Sequence, residues 1–215
     1  MKKTNADFWI AFLKNTPETF KKWFYEERKY LQKIITPNSS VLEVGCGNGR
    51  SFHDILSKTK NITGIDHDIN AVRVAKKNFS KFPEIKIIKA EATDLPFEDN
   101  EFDFVICMGT FANFADKKIK ALTEMKRVLK KDGKIVISVY SEDAFEERMN
   151  NYKASGVLIR EVKGTTVIFD ESLGDNISEQ FSKKELEDIF KKAGLKIKGI
   201  KKLNIAYLCA VSKGR

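Results

Sequence analysis

The stretch Val41-Leu42-Glu43-Val44-Gly45-Cys46-Gly47-Asn48-Gly49 constrains this chain more than any other. Val41, Leu42 and Val44 place apolar residues on both parities of a short run, the mark of a strand buried on both faces. Three glycines follow at alternate positions, and beyond Arg50 and Ser51 the run Phe52 to Leu56 has helical character. A buried strand, a glycine-rich turn and a helix N-terminus let backbone approach a nucleotide closely. The spacing here is G-x-G-x-G, one residue shorter than the G-x-G-x-x-G of dinucleotide sites. Glu43 adds a carboxylate inside the strand. Burying such a group without a partner is costly, so it points to a cationic or donor-rich ligand. A pyrophosphate would be repelled there; an ammonium would not.

At 215 residues, with 42% hydrophobic and 32% charged content, the chain suits one soluble globular domain with a sizeable core. No run approaches the ~18 apolar residues of a membrane helix. The Phe8 to Leu13 run is short and followed by Lys14, so no signal peptide and no membrane partner are expected. Cys46, Cys107 and Cys209 are widely spaced and odd in number, which fits neither a metal site nor a disulfide framework. A reduced, cytoplasmic protein is expected. The net charge of +9 raises nucleic acid as a partner. However, only 7 of the 39 cationic residues are arginine, the usual residue for phosphate and base contacts. Lysines dispersed over every helix read more simply as a solvated surface.

Residues 1–37 form an aromatic N-terminal cap, with Phe8, Trp9, Phe12, Phe20, Trp23, Phe24, Tyr25 and Tyr30. Thr16-Pro17 predicts a helix start, Thr16 as N-cap, and the helix runs to about Ile34. Asn61 to Asp66 is the second strand. Asp66 follows the glycine motif at roughly the 20-residue distance of a ribose-binding carboxylate. Asn70 to Phe82 is an amphipathic helix, Ile85 to Lys89 a third strand, and Phe102 to Met108 a fourth. A long helix over Asp116 to Lys131 ends at Gly133 as its C-cap residue, and Lys134 to Tyr140 is the fifth strand. Residues 141–181 form an insertion with a helix and a hairpin around Lys163-Gly164. Ser182 and Glu185 make a capping box for a helix to Ala193, and two closing strands follow. No repeat or linker interrupts residues 1–215, which are expected to form a single domain.

Four ordered segments resemble the class I S-adenosylmethionine-dependent methyltransferases. They are the strand-E-x-G-x-G-x-G stretch at Glu43, Asp66-His67 after the second strand, Ala90-Glu91-Ala92-Thr93-Asp94-Leu95-Pro96-Phe97, and Phe102-Asp103-Phe104-Val105. The run from Ala121 through Val139 has the family's L-x-E-x-x-R look. The resemblance implies an α/β, Rossmann-like three-layer sandwich with a seven-stranded, mostly parallel sheet of order 3-2-1-4-5-7-6. It implies S-adenosyl-L-methionine as cofactor, held by Glu43, Gly45, Cys46, Gly47, Asn48, Asp66, His67, Glu91, Ala92 and Met108. Glutamate at 91, where the family commonly has aspartate, makes the backbone contact of Ala92 to adenine the firmer one. Trp23 and Tyr25 are candidates to touch a ligand, and residues 141–181 are candidates for a substrate-selecting lid.

Methyl transfer from a sulfonium needs alignment in a dry pocket, and a base only where the nucleophile holds its proton tightly. No catalytic residue stands out. His53 reads as a packing or surface histidine, and Tyr140, Tyr152 and Asp170 are weak candidates for a base. A small-molecule acceptor is expected. The runner-up is an RNA methyltransferase, favoured by charge, but no appended RNA-binding module is present and no Pro-Pro-Tyr type motif follows Met108. A nicotinamide oxidoreductase is disfavoured by glycine spacing and Glu43. A cofactor-binding subunit without catalysis fits the same motifs.

Overall fold

The computed structural model describes residue 13, residues 16–173 and residues 177–214. Phe8, Trp9 and Phe12 lie outside the described residues. The chain runs through α1 (Glu18–Ile34), β1 (Val41–Val44), α2 (Arg50–Ile55), β2 (Ile62–Asp66), α3 (Ile69–Asn78) and β3 (Lys86–Lys89). It continues with β4 (Phe102–Met108), α4 (Lys118–Val128), β5 (Leu129–Tyr140) and α5 (Phe145–Ala154). Then come β6 (Ile159–Lys163), β7 (Thr166–Phe169), β8 (Ile177–Ser178), α6 (Lys183–Lys192), β9 (Leu195–Leu203) and β10 (Ala206–Lys213).

The main sheet has seven strands in the order β3-β2-β1-β4-β5-β10-β9. Its first five are parallel, and β10 pairs antiparallel with β5 and with β9. Strands β6, β7 and β8 form a separate antiparallel sheet in the insertion. Counting the main sheet alone, the last strand of the chain inserts between the fifth and sixth, which is the Rossmann-like order 3-2-1-4-5-7-6. Every residue of β1 and β2 is buried, which accounts for apolar residues on both parities there.

Helix α1 buries Phe20, Trp23, Glu27 and Leu31, a single stripe at helical spacing. Each large apolar side chain so buried contributes about 1.5–3 kcal/mol. Trp23 occupies the stripe position next to Phe24, while Tyr25 points outward and is 61% exposed, which removes it from the ligand-touching candidates. The helix starts one residue later than the sequence predicts. Pro17 holds the N-cap position in extended backbone, and the Thr16 hydroxyl donates to Leu13 O instead.

The end of α4 also departs from expectation. The helix stops at Val128, because Leu129 turns extended and pairs with Phe102 at the start of β5. The N–H groups of Asn100 and Glu101 donate to the carbonyls of Arg127 and Val128, so the last turn is satisfied by a neighbouring segment. Gly133 is therefore no helix cap. It lies inside β5, where an added Cβ would come within 2.7 Å of the Leu129 side chain and 2.8 Å of Asp103 O. Close approach of two backbones demands glycine here. The L-x-E-x-x-R run also has a structural reading. Arg127 donates to Phe97 O and Leu95 O, and Glu124 accepts from Leu95 N, which fastens the Leu95-Pro96-Phe97 corner to α4.

The closing helix α6 carries the expected capping box between Ser182 and Glu185. The lysines that follow are mostly on β9, the sheet edge, where Lys196, Lys198, Lys201 and Lys202 are all exposed. Charge on an unpaired edge blocks strand-to-strand association, a purpose that needs no nucleic acid. Gly133 and Gly199 make a matched test of these backbone assignments, since Gly199 lies in β9 with nothing within 4 Å of an added Cβ. Gly133→Ala should destabilise the protein by about 1–3 kcal/mol, and Gly199→Ala should change stability by less than about 1 kcal/mol, both read from urea unfolding midpoints.

Candidate cofactor and acceptor site

Four adjacent parallel strands deliver their carboxyl ends to one cavity. Asp66 ends β2, the glycine turn follows β1, Met108 ends β4 and Tyr140 ends β5, and all of them line it. With strands ~4.8 Å apart, the cavity extends about 14 Å along the sheet edge. It straddles β1 and β4, where the winding of the sheet reverses, which is where open α/β sheets take ligands. Leu13, Trp23 and Phe24 line it from the N-terminal side, and Ser178 lines it from the insertion.

The three glycines of the turn have different reasons to be glycine. Gly45 has a φ of +76° and carries Thr110 directly against it, and the Thr110 hydroxyl donates to Gly45 O at 2.9 Å. Gly49 is crowded by Phe79. Gly47 alone meets nothing within 4 Å of an added Cβ, and it lines the cavity. The space its missing side chain leaves is open to a ligand.

Two carboxylates border this turn. Asp66 accepts the Gly47 N–H at 2.8 Å through Oδ2 and the Asp68 N–H at 3.0 Å through Oδ1. Burial pushes its pKa up and these two bonds oppose the shift. Each oxygen keeps a second acceptor site. His67 sits at the rim, its Nδ1 3.5 Å from Asp66 Oδ1. Glu43 is only 2% exposed; its Oε1 accepts from the Ser51 hydroxyl, while Oε2 is buried with no partner. Burial pushes the Glu43 carboxyl up to about 8, against the lowering effect of the Ser51 bond and the Arg50 charge. Cys46 lines the cavity as a neutral thiol, raised by burial.

Arg50 opens α2 and reaches back to the N-terminal helix. Its Nη2 lies 2.7 Å from Glu27 Oε2, and its guanidinium stacks 4.2 Å from the Phe24 ring centroid. At the β4–β5 end, Asn113 donates to Ile177 O at 2.6 Å, and Tyr152 donates from its hydroxyl to Ser178 Oγ at 2.9 Å. Among the lining residues at this end, Met108, Thr110, Asn113, Tyr140 and Ser178, none is a histidine or a carboxylate.

Of the residues singled out in the sequence, Glu43, Gly45, Cys46, Gly47, Asn48, Asp66, His67 and Met108 all line this cavity, as does Trp23. Glu91 and Ala92 do not. They follow β3, one strand beyond Asp66, where Ala90 N donates to Asp66 O and Glu91 pairs with Asp94 in an isolated bridge. His53 packs on Phe79 away from the cavity, and neither Tyr152 nor Asp170 lines it. Arg50 and Ser178 were not anticipated as lining residues. Thr110 and Asn113 fall in the segment after Met108 that the motif already marks, whereas Ser178 sits on a two-residue strand with no sequence signal. Among the described residues, no group of three His, Cys, Asp or Glu could hold a metal ion. The cofactor implied by the motifs fits this donor set: an unpartnered buried carboxylate oxygen for an ammonium, a two-oxygen acceptor in Asp66 for hydroxyls, and an open glycine beside both.

Comparison with known proteins agrees with this geometry. Residues 42–137 match the family model described as a methyltransferase domain. An uncharacterized protein of Methanocaldococcus jannaschii is 37% identical over 144 residues, which cover 63% of this chain and 64% of that protein. Demethylmenaquinone methyltransferase of Staphylococcus aureus is 33% identical over 121 residues, covering 52% of this chain and 50% of the enzyme. The chain thus spans between half and two thirds of the length of these relatives. A crystal structure of an S-adenosylmethionine-dependent methyltransferase from Clostridium acetobutylicum shares the fold, with a TM-score of 0.69 at 14% identity over 94% of each chain.

The raised Glu43 carboxyl has a consequence for stability. A carboxyl that titrates near 8 when folded and near 4.5 when unfolded favours the folded state fully below pH 4.5. That contribution declines as pH rises and is gone above about pH 8. Glu43→Gln removes the titration. In the absence of ligand the variant should match the parent near pH 4.5 and exceed it at pH 8.5 by on the order of 4 kcal/mol, measured by urea unfolding across the pH series.

Proposed function

We propose that this chain, which belongs through residues 42–137 to the class I S-adenosylmethionine-dependent methyltransferase family, transfers the methyl group of S-adenosylmethionine to a small molecule. The observation that carries this reading is the buried Glu43 oxygen without a partner, set beside the open face of Gly47. A ligand's ammonium supplies the cation that this oxygen lacks and draws Glu43 into its ionised form. Asp66 holds ribose hydroxyls through its remaining acceptor sites, with His67 at the rim. Glu91 and Ala92, which follow β3 beside Asp66 and outside the cavity, are the residues that the motif assigns to the adenine. Gly45, Cys46, Asn48 and Met108 flank the rest. When bound, the cofactor supplies an electrophilic methyl group.

The chain's own contribution is alignment and dryness. Trp23, Phe24 and Met108 give the cavity apolar walls, which exclude water from a displacement in which charge disappears. At the β4–β5 end the one titratable group among the described lining residues is Tyr140, whose phenol is held protonated by burial, so the arrangement suits an acceptor that needs no base. Residues 1–37 act as a cap and residues 141–181 as a lid over a single domain spanning 1–215. An enclosed pocket with apolar walls and a few polar groups is how small-ligand sites are built. One relative is itself named for demethylmenaquinone. The exposed lysines on β9 lie along the sheet edge, whereas an RNA acceptor would require an open basic groove at the cavity mouth.

Three measurements bear on this. Asp66→Ala should weaken S-adenosylmethionine binding by about 10- to 100-fold, since hydrogen bonds to a charged group contribute roughly 1.5–3 kcal/mol each; calorimetry that finds tight NAD binding in its place would overturn the cofactor. Replacing residues 157–170 with a short Gly/Ser turn should leave cofactor affinity nearly intact and abolish turnover. Incubation with methyl-labelled cofactor and fractionated cell extract should place label in the small-molecule fraction. Label confined to tRNA or rRNA would transfer the assignment to an RNA methyltransferase.

A further inference from the structure

Arg148 is the largest fully buried side chain of the described residues, with 0% exposure. It projects from α5 into the space between the insertion and the end of β5. Its Nη2 donates to Ser178 O at 2.8 Å and its Nη1 to Gln180 Oε1 at 2.8 Å, with Thr165 O more distant at 3.4 Å. Its Nε is buried without a partner, and so is the whole side-chain amide of Asn151 on the same helix. Among the described residues no carboxylate pairs with Arg148. Its guanidinium carbon stands 4.9 Å from the centroid of the Tyr140 ring.

A guanidinium stays protonated in proteins. Burying one against neutral carbonyls and an amide leaves its charge uncompensated, a costly arrangement unless something else supplies the counter-charge. Glu27, the carboxylate whose charge acts on Tyr140, is already held by Arg50. Two of the groups Arg148 touches, Tyr140 and Ser178, line the β4–β5 end of the cavity. The positive charge therefore lies one side chain behind the wall of the acceptor subsite. In the proposed reaction a sulfonium would face the same space, its methyl toward the acceptor. A neutral acceptor would leave two positive charges facing one dry space, and a cationic amine would add a third.

We infer that the methyl acceptor is a small organic anion, its charged oxygen set against Tyr140 and Ser178, and that Arg148 determines this specificity through its field. The inference rests on the methyl-transfer reading above. In the reaction a lone pair of the acceptor oxygen forms the new O–CH3 bond, and the electrons of the breaking S–CH3 bond stay on sulfur. The anion becomes a neutral ester or ether and the sulfonium a neutral thioether. No proton moves, which matches an acceptor end without a base. Arg148 does not touch the reacting atoms; it is a positioning residue.

The test uses the full chain with S-adenosylhomocysteine present and three probes of one shape: benzoate, benzamide and benzylamine. A unit charge acting over several ångströms at an effective dielectric near 20 corresponds to a preference of about tenfold or more. Calorimetry should therefore find benzoate bound at least about tenfold more tightly than benzamide, and benzylamine weakest. Arg148→Met should bring benzoate down to the level of benzamide while S-adenosylhomocysteine binding is retained, and Arg148→Lys should restore part of the preference. No benzoate binding, equal binding of the three probes, or an unchanged preference in Arg148→Met would overturn the inference. If Arg148→Met fails to fold, the ranking in the parent and in Arg148→Lys decides. Failure of S-adenosylhomocysteine to bind the parent would instead sink the methyl-transfer reading, so the two failures are distinguishable.

Discussion

A parallel sheet that winds in two directions from its middle must leave a crevice where the direction changes, because the connections depart to opposite sides. Here that place is between β1 and β4. The segments leaving the two strands are joined by the bond from the Thr110 hydroxyl to Gly45 O, with the Thr110 side chain seated where Gly45 has none. Everything else at the site depends on this contact. It holds the glycine turn in shape on one side and aims the segment from Met108 to Asn113 on the other. A side chain at position 45 would push the two halves of the crevice apart before any ligand arrived.

Along this crevice the protein keeps ionisable groups buried, and it settles each one differently. Asp66 is satisfied by two backbone N–H groups. Glu27 and Arg50 are paired, although Glu27 Oε1 still lacks a partner. Glu43 resolves its burial by holding a proton up to about pH 8. Arg148 meets, among the described residues, only carbonyls, an amide and the Tyr140 ring. With net stabilities of roughly 5–15 kcal/mol for whole domains, four such arrangements in one region are a substantial concession. Concessions of this kind concentrate where function requires them.

The fold was largely legible in the sequence because its signals were local and redundant. Both-parity apolar runs gave β1 and β5, the Ser182–Glu185 box gave α6, and the motif order gave the sheet. What was illegible depended on contacts between distant segments. Asp132-Gly133 looks like a helix terminus, but the pairing of Leu129 with Phe102 ends α4 earlier. Ser178 enters the site on a strand of two residues, which no pattern of period two can announce. The three glycines of the motif look equivalent in the sequence, and only the packing of Thr110 and Phe79 shows that Gly47 alone faces open space. Glu43 was the most informative single residue, since a carboxylate within an apolar strand violates its surroundings.

The N-terminal helix is fastened to several parts of the molecule at once. Trp23 donates to Ser138 on β5, Thr19 to Glu147 on α5, Lys201 of β9 holds Glu26, and Arg50 holds Glu27. The same helix contributes Trp23 and Phe24 to the cavity wall, and α5 begins the insertion on the opposite side. Through Thr19 and Glu147 the N-terminal helix and α5 are joined directly. One hydrogen bond, remote from the glycine turn, thus ties the helix that supplies Trp23 and Phe24 to the helix that carries Arg148.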